Sequence, residues 1–189
     1  MSNPDRANIL VPTAEGAPYP GEGVWAEPHD LPSGLYRVAS VTWLTDGVSL
    51  WDIVRCDVAR DGGLVAVEVV ERAPHATVVF GLTDAAAPDE VVTRRLVELD
   101  AAIRNQLGPS LPAEGGLGLL AVCVPPDRLG DLLEVALACS TSRDCDDQER
   151  IVGDWFWHLV THPDWATPEV LRGSRQLLDR DLDPHASCR

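Results

Sequence analysis

The sequence predicts an α+β domain, in which a mainly antiparallel sheet of about five strands is followed by three carboxy-terminal helices packed on one face. Residues 35–82 are rich in valine, threonine, tryptophan and isoleucine with turn residues at short intervals, which is typical of strands. From residue 92 onward, apolar residues recur at helical spacing. Strands that precede helices along the chain are the order of an α+β fold.

The first four predicted strands form a meander, and a fifth, buried strand follows the first helix. Asp46-Gly47 and Asp61-Gly62-Gly63 separate strands within the meander. Aspartate and glycine tolerate the positive φ that tight hairpin turns require. The predicted strands cover residues 36–44, 48–58, 64–71, 77–82 and 116–124.

The first predicted helix lies between the meander and the fifth strand, from Pro88 to Gly108. Its apolar residues are spaced by three or four positions and share one face; they are Val92, Leu96, Leu99, Ile103 and Leu107. The three carboxy-terminal helices are predicted at 126–140, at 147–162 and from 167 onward.

The amino-terminal segment, residues 1–33, is rich in proline and glycine and holds only isolated apolar residues. Such a segment buries too little surface to offset the entropy of ordering it. We therefore predict a flexible arm at 1–33, a single α+β domain at 34–183 and a short tail at 184–189.

Composition limits the compartment and the partners. The chain has 189 residues, 45% of them apolar, without a run long enough to cross a bilayer and without a signal-peptide pattern at its start. We therefore expect a cytoplasmic protein. A net charge of −15 argues against nucleic acid and a membrane surface, and favours a protein partner with a basic surface.

All fifteen basic residues are arginine, and the chain contains no lysine. This excludes mechanisms that need a Schiff-base lysine or a phosphate-loop lysine. Compositional bias is the favoured explanation for the lack of lysine, and selection against a reactive amine is the alternative. The five cysteines, an odd number in an ordinary core composition, are expected to be reduced thiols.

One set of residues has metal-ligand spacing. Cys139, Cys145, His158 and His162 follow the order C-x5-C-x12-H-x3-H, with both histidines on one face of the helix predicted at 147–162. The hypothesis is a structural zinc site. The alternative is that the cysteines are ordinary thiols and the histidines pack beside neighbouring aromatic side chains.

Asp154, His158 and His162 form a second candidate set, because intervals of four keep them near one another on a helix. They would serve as acid–base groups or as ligands of an open metal site. No cofactor other than zinc is predicted.

Two functions follow from these patterns. The first is a non-enzymatic, cytoplasmic binding or regulatory protein that uses its acidic surface and the Trp-bearing carboxy-terminal helices, with Trp157 and Trp165 as the interaction residues. The alternative is a small enzyme acting on an apolar or aromatic small molecule through Asp154, His158 and His162. Whether the chain is an enzyme stays open between these two.

Overall fold

A computed structural model of the chain describes residues 6–13, 19–45, 47–84, 86–140, 145–146, 151–152, 154–161 and 169–170. The chain divides into two compact units. The barrel unit comprises Met1–Ala73 together with Trp165–Arg189, and the sheet–helix unit comprises Pro74–Asp164. Within the described ranges, no helix has both the length and the apolar character needed to cross a membrane.

Strands predominate in both units. The strands are β1 Ala7–Pro12, β2 Gly21–Asp30, β3 Leu35–Val38, β4 Ile53–Val58, β5 Leu64–Glu71, β6 Ala76–Leu82, β7 Ala113–Gly116, β8 Leu119–Val124, β9 Cys145–Asp146, β10 Ile151–Val152, β11 Trp155–Thr161 and β12 Glu169–Val170. The described α-helices are α1 Asp89–Leu107 and α2 Leu129–Ala138, and 3-10 turns occur at Leu31–Ser33 and Pro126–Arg128.

The barrel unit contains a closed barrel of strands β1 to β5. Each strand pairs antiparallel with the next one, and β1 also pairs in parallel with β5 through Ile9 opposite Leu64 and Leu10 opposite Val65. The short strand β12 pairs with the distal part of β5. The first and last strands of the meander therefore have no free edge where they meet.

Side chains at alternate strand positions fill the interior of the barrel. On β1, Ile9 and Val11 are buried while Asn8 is exposed, and on β2, Val24 and Ala26 are buried while Trp25 is 49% exposed. A period of two places alternate residues on one face of a strand. The cluster they join consists of Ile9, Val11, Val24, Ala26, Val38, Val48, Val54, Cys56, Ala66 and Val69.

Two buried carboxylates hold the long loop between β3 and β4. Glu22 accepts hydrogen bonds from the backbone N–H groups of Trp43 and Leu44. Asp52 accepts hydrogen bonds from the backbone N–H groups of Ser49, at 3.0 Å, and of Ala73, at 2.7 Å. Because these donors would otherwise be buried without acceptors, the carboxylates fix the loop against the barrel.

Asp52 also closes a strained turn and a buried ion pair. Its carboxylate lies 3.2 Å from Nη1 of Arg72, and the side chains of both residues are almost fully buried. Its backbone N–H donates to Ser49 O, and the turn so formed places Trp51 at φ 70°. A bulky residue with positive φ is a strained conformation that its surroundings must maintain.

The sheet–helix unit has one sheet in the order β7-β8-β6-β11-β10-β9. Strands β6, β8 and β11 form its antiparallel centre. One face is covered by α1 and α2, and the core between them includes Val78, Phe80, Leu96, Leu99, Ile103, Leu120, Val122, Val124, Leu132, Val135, Ala136 and Trp155. The predicted helix with Leu96, Leu99 and Ile103 on its inner face is confirmed, and so is the helix predicted from 126.

The predicted single sheet followed by three carboxy-terminal helices is wrong. The strands belong to a closed five-stranded barrel and a second sheet, and two α-helices lie in the part of the chain that the structure describes. Residues 76–82 join the second sheet and not the meander, because β1 and β12 already occupy the edge of β5 opposite β4.

The helix predicted at 147–162 is also wrong, because β10 and β11 occupy 151–152 and 155–161. Trp155, Phe156 and Leu159 fit helical spacing, yet Trp155 and Leu159 also lie on the same face of a strand. Aromatic and β-branched residues between 155 and 161 favour the strand. The helix predicted from 167 falls largely outside the described residues, apart from 169–170 in β12.

The segment expected to be a flexible arm contributes β1 and β2 to the barrel. Buried residues alternate along both strands, with Ile9 and Val11 on β1 and Val24 and Ala26 on β2. That alternation is the pattern of a strand with one buried face.

We expect Asp52→Ala to destabilise the barrel unit by about 3–5 kcal/mol, because the change leaves the Arg72 guanidinium buried without its carboxylate. Urea unfolding measures this loss. Asp57→Ala, at an exposed position of β4, is the matched control and should change stability by less than about 0.5 kcal/mol. Equal effects of the two changes would contradict a structural role of Asp52.

We expect Glu22 to make stability depend on pH. Burial raises the pKa of the Glu22 carboxyl above its ordinary value of 4.5, although hydrogen bonds from the loop oppose the rise. The native state then holds more protons than the unfolded state between the two pKa values, so the unfolding free energy should rise as pH falls through that window.

Unfolding of the wild type and of Glu22→Gln at several pH values between about 7 and 5 tests this. The unfolding free energy of the wild type minus that of the variant should increase as the pH falls, because glutamine has no carboxyl to titrate. A difference that stays constant or decreases would show that the pKa of Glu22 is not raised.

Candidate functional site

A cavity of about 340 Å³ lies in the sheet–helix unit between α1 and the β7–β8 hairpin. We refer to it as the hairpin groove. From α1 it is lined by a stripe that includes Thr93, Val97, Asp100 and Arg104, beside the stripe that packs into the core. Its volume is at the lower end of the range of small-molecule sites.

Small residues on β7 leave this space open. Ala113 pairs with Val122 and Gly115 pairs with Leu120, and both partners belong to the core beneath the helices. Directly opposed residues of an antiparallel pair point to the same face of the sheet. Side chains at 113 and 115 therefore face α1, and there β7 has only one methyl group, that of Ala113.

The hairpin turn holds a leucine in an unfavourable conformation. Gly116 pairs with Leu119, so Leu117 and Gly118 form a two-residue turn, with φ of 52° and 77°. Two successive positive φ angles define a type I′ turn, whose first position favours asparagine, aspartate or glycine. Leucine is disfavoured here because its Cβ approaches the backbone closely.

Apolar side chains flank the mouth of the groove. Leu117, at the hairpin tip, is 75% exposed, and Val97, on α1, is 63% exposed. Both residues line the groove. Backbone strain and exposed apolar side chains are both features that recur at binding sites.

A paired acid and base lie at the end of the groove formed by the last turns of α1. Arg104 Nε donates to both carboxylate oxygens of Asp100, at 2.9 and 2.8 Å. Arg104 Nη1 donates to the carbonyl oxygens of Pro109, at 3.2 Å, and Leu111, at 3.5 Å. The pair is therefore held rigidly and carries no net charge.

This lining suits binding better than catalysis. The residues around the groove are mainly apolar or glycine, and the described lining includes no histidine or cysteine. Thr93 supplies a hydroxyl group, but general-base catalysis needs a base within hydrogen-bond reach of the group that it activates. Asp100 is the carboxylate of the described lining, and Arg104 Nε donates to both of its oxygens.

Two of the predicted site residues lie at a different position, around Arg95 of α1. Arg95 Nη2 donates to Asp154 Oδ2, at 2.8 Å, and to the carbonyl oxygen of Cys139, at 3.0 Å. Its guanidinium lies 5.3 Å from the ring centroid of Trp155. Arg95 thus joins α1 to the end of α2 and to the start of β11, which gives Asp154 a structural contact.

His158 and Trp157 lie on β11 and point to opposite faces of the sheet. Trp157 is partly buried and packs against the core under the helices, opposite Phe80, while His158 is opposite Val79. The helical arrangement assumed for His158 and His162 therefore does not apply to residues 155–161.

The remaining predicted site residues are not described. His162 and Trp165 lie outside the described residues, and Cys145 is described only as part of β9. Among the described residues, no three His, Cys, Asp or Glu side chains are placed to hold a metal ion. The zinc hypothesis stays a prediction.

Two of the described thiols have a raised pKa. Cys56, Cys123 and Cys139 are free cysteines. Burial raises the pKa of the Cys56 thiol to about 12, and burial also raises that of Cys139, against the opposing effect of Arg95. Since a nucleophilic cysteine needs a lowered pKa, neither thiol is activated.

The groove was not predicted, although the sequence contains a signal for its turn. Leu117-Gly118 lies between two short segments that pair as a hairpin, and we had assigned 116–124 to one continuous strand. The type I′ signature is Asn-Gly or Asp-Gly, and a leucine in place of asparagine conceals it. The width of the groove depends on the packing of α1, which a sequence pattern does not specify.

Comparison with known proteins places this region within a family. A protein-family model described as "Domain of unknown function (DUF4265)" matches residues 22–142. The chain belongs to this family. The match includes every residue that lines the groove. No curated protein matches the chain.

One solved structure resembles the fold. It is titled "Novel crystal structure of a hypothetical protein from Neisseria gonorrhoeae", and it aligns with a TM-score of 0.54 and 14% sequence identity. The alignment covers 88% of this chain and 99% of that chain. At this identity the similarity concerns the fold alone.

We expect Leu117→Asn to stabilise the sheet–helix unit by about 0.5–1 kcal/mol, because asparagine tolerates the left-handed conformation. Leu31→Asn is the control, since Leu31 is 60% exposed and does not have a positive φ. It should give no such gain. Thermal or urea unfolding measures both variants, and a loss of stability in Leu117→Asn would contradict strain at this turn.

Proposed function

We propose that the protein is a non-catalytic binding protein that holds a small, mainly apolar molecule in the hairpin groove. The proposal is carried by one observation: β7 presents Ala113 and Gly115 toward α1, and the space above them is lined by leucine and valine side chains. A cavity with apolar walls and a few fixed polar groups is the usual form of a small-molecule site.

The exposed apolar residues support the same proposal. Leu117 and Val97 lie where a bound molecule would be covered, and burying them would lower the free energy by about 25 cal/mol for each Å² removed from water. The proposal retains binding as the function. It replaces the Trp-bearing helices by the groove, because Trp157 packs on the core.

The alternative of a small enzyme receives less support. Asp154 is engaged by Arg95, while His158 is on β11, opposite Val79. A substrate in the hairpin groove would be lined by other residues than Asp154 and His158, because neither of these belongs to the lining of the groove. A protein partner with a basic surface remains compatible with the net charge of −15, and would bind elsewhere on the molecule.

We expect Gly115→Leu to weaken binding of the neutral fluorescent probe 1-aminoanthracene by about tenfold, or about 1.4 kcal/mol, because leucine occupies the space that the probe needs. An added Cβ would meet Leu119 O at 3.5 Å and Leu120 Cδ1 at 3.8 Å, which are ordinary contacts. The variant should therefore fold, with a melting temperature at or above that of the wild type.

Gly130→Leu is the matched control, because Gly130 is exposed on α2 with open space around its Cβ position. This variant should bind the probe like the wild type. Equal probe affinity in Gly115→Leu and Gly130→Leu would overturn the proposal, and so would a wild type that does not bind the probe.

A further inference from the structure

The polar end of the hairpin groove specifies more about the ligand than its apolar walls do. A guanidinium has five N–H donors in a fixed plane. Arg104 gives its Nε hydrogen to Asp100 and directs Nη1 to the carbonyl oxygens of Pro109 and Leu111. Among the described residues, its Nη2 has no acceptor, so two N–H donors stay available beside the groove.

The charge around these donors decides which acceptor would suit them. The Asp100 carboxylate lies 2.8 Å from Nε of Arg104 and also lines the groove. A ligand carboxylate at Nη2 would place a second negative charge within a few ångströms of Asp100, in a chain with a net charge of −15. A neutral carbonyl oxygen accepts the same hydrogen bonds without this repulsion.

The shape of the groove suits an elongated molecule. Its lining on α1 runs from Thr93 to Arg104, which corresponds to about 16 Å along a helix at 1.5 Å per residue. Leu96 and Leu120 form its floor, and both are buried. A chain with an apolar body and one polar end would place the body over the leucines and the polar end at Arg104.

We infer that the ligand is a neutral, elongated apolar molecule with a carbonyl group at one end, such as an amide, ester or ketone, whose oxygen accepts a hydrogen bond from Nη2 of Arg104. This inference rests on the proposed function. It adds the chemical class of the ligand and assigns Arg104 as the residue that recognises its polar end.

Displacement of 1-aminoanthracene by three probes of equal chain length tests the inference. The probes are octan-2-one, octane and octanoate. Octane leaves water more readily than octan-2-one does, so each affinity is divided by the partition coefficient of the probe between water and hexadecane. On this scale we expect octan-2-one to bind the wild type at least about tenfold more tightly than octane, since a hydrogen bond to a charged donor contributes about this factor or more. Octanoate should bind more weakly than octan-2-one because of Asp100.

Arg104→Met keeps an apolar side chain and removes the donors. It should weaken binding of octan-2-one about tenfold and leave that of octane unchanged. Arg94→Met, on the same helix at a side chain that is 67% exposed, is the control and should change neither affinity. If Arg104→Met does not fold, the comparison of the three probes in the wild type still tests the inference.

The outcomes separate the two proposals. If no probe displaces 1-aminoanthracene although the groove binds it, or if octan-2-one and octane bind equally after the correction for partition, the inference is overturned and the proposed function stands. Tightest binding of octanoate overturns it as well, and so does equal weakening of octan-2-one and octane by Arg104→Met. If 1-aminoanthracene itself does not bind, both proposals are overturned.

Discussion

The barrel unit depends on a constraint of strand direction. In a meander, each strand runs opposite to the preceding one, so the first and fifth strands run in the same direction. A barrel of five such strands closes through a parallel pair, which β1 and β5 form at Ile9–Leu64 and Leu10–Val65. Closure removes edges that would otherwise expose unpaired N–H and C=O groups. Residues 7–12, which form β1, are thus a structural part of the barrel.

The long loop after β3 forms no strand. Its backbone makes a few hydrogen bonds to other backbone groups, and side chains accept further ones, with Glu22 at one part of the loop and Asp52 at the other. A buried carboxylate is unfavourable unless it is well hydrogen-bonded, and here each accepts several donors. Asp52 also maintains Trp51 at positive φ, which means that one buried group stabilises the turn, the ion pair with Arg72 and the end of β5.

Local sequence patterns predicted some elements well. They failed where the helical period and the strand period place the same residues on one face. The α1 helix was found from the spacing of Leu96, Leu99 and Ile103, which no strand would bury on one face. Around Trp155 the pattern is ambiguous, because residues four apart lie on one face of a strand and nearly on one face of a helix. Pairing with β6 decides in favour of the strand, and pairing is not visible in one sequence.

The groove was beyond sequence reasoning for a related reason. Small residues such as Gly115 are read as turn signals, whereas here the glycine lies within a strand and its missing side chain creates a space. The missing side chain of Gly115 leaves a cavity only because α1 packs above β7. The importance of Leu117 is recognised only from its φ. Leucine is unfavourable at this position of the turn, so the turn itself does not explain why leucine is present there.

Arg104 connects the stability of α1 with selectivity in the groove. Its hydrogen bonds to Pro109 and Leu111 satisfy carbonyl groups just beyond the helix end, and the bond to Asp100 fixes the plane of the guanidinium. A ligand would therefore meet a side chain whose conformational entropy has already been lost in folding. In the proposed complex, Asp100 balances the charge of Arg104, so an anionic ligand gains no net attraction while a neutral acceptor still gains the hydrogen bond. An acidic chain can in this way present an arginine to a neutral molecule while disfavouring anions.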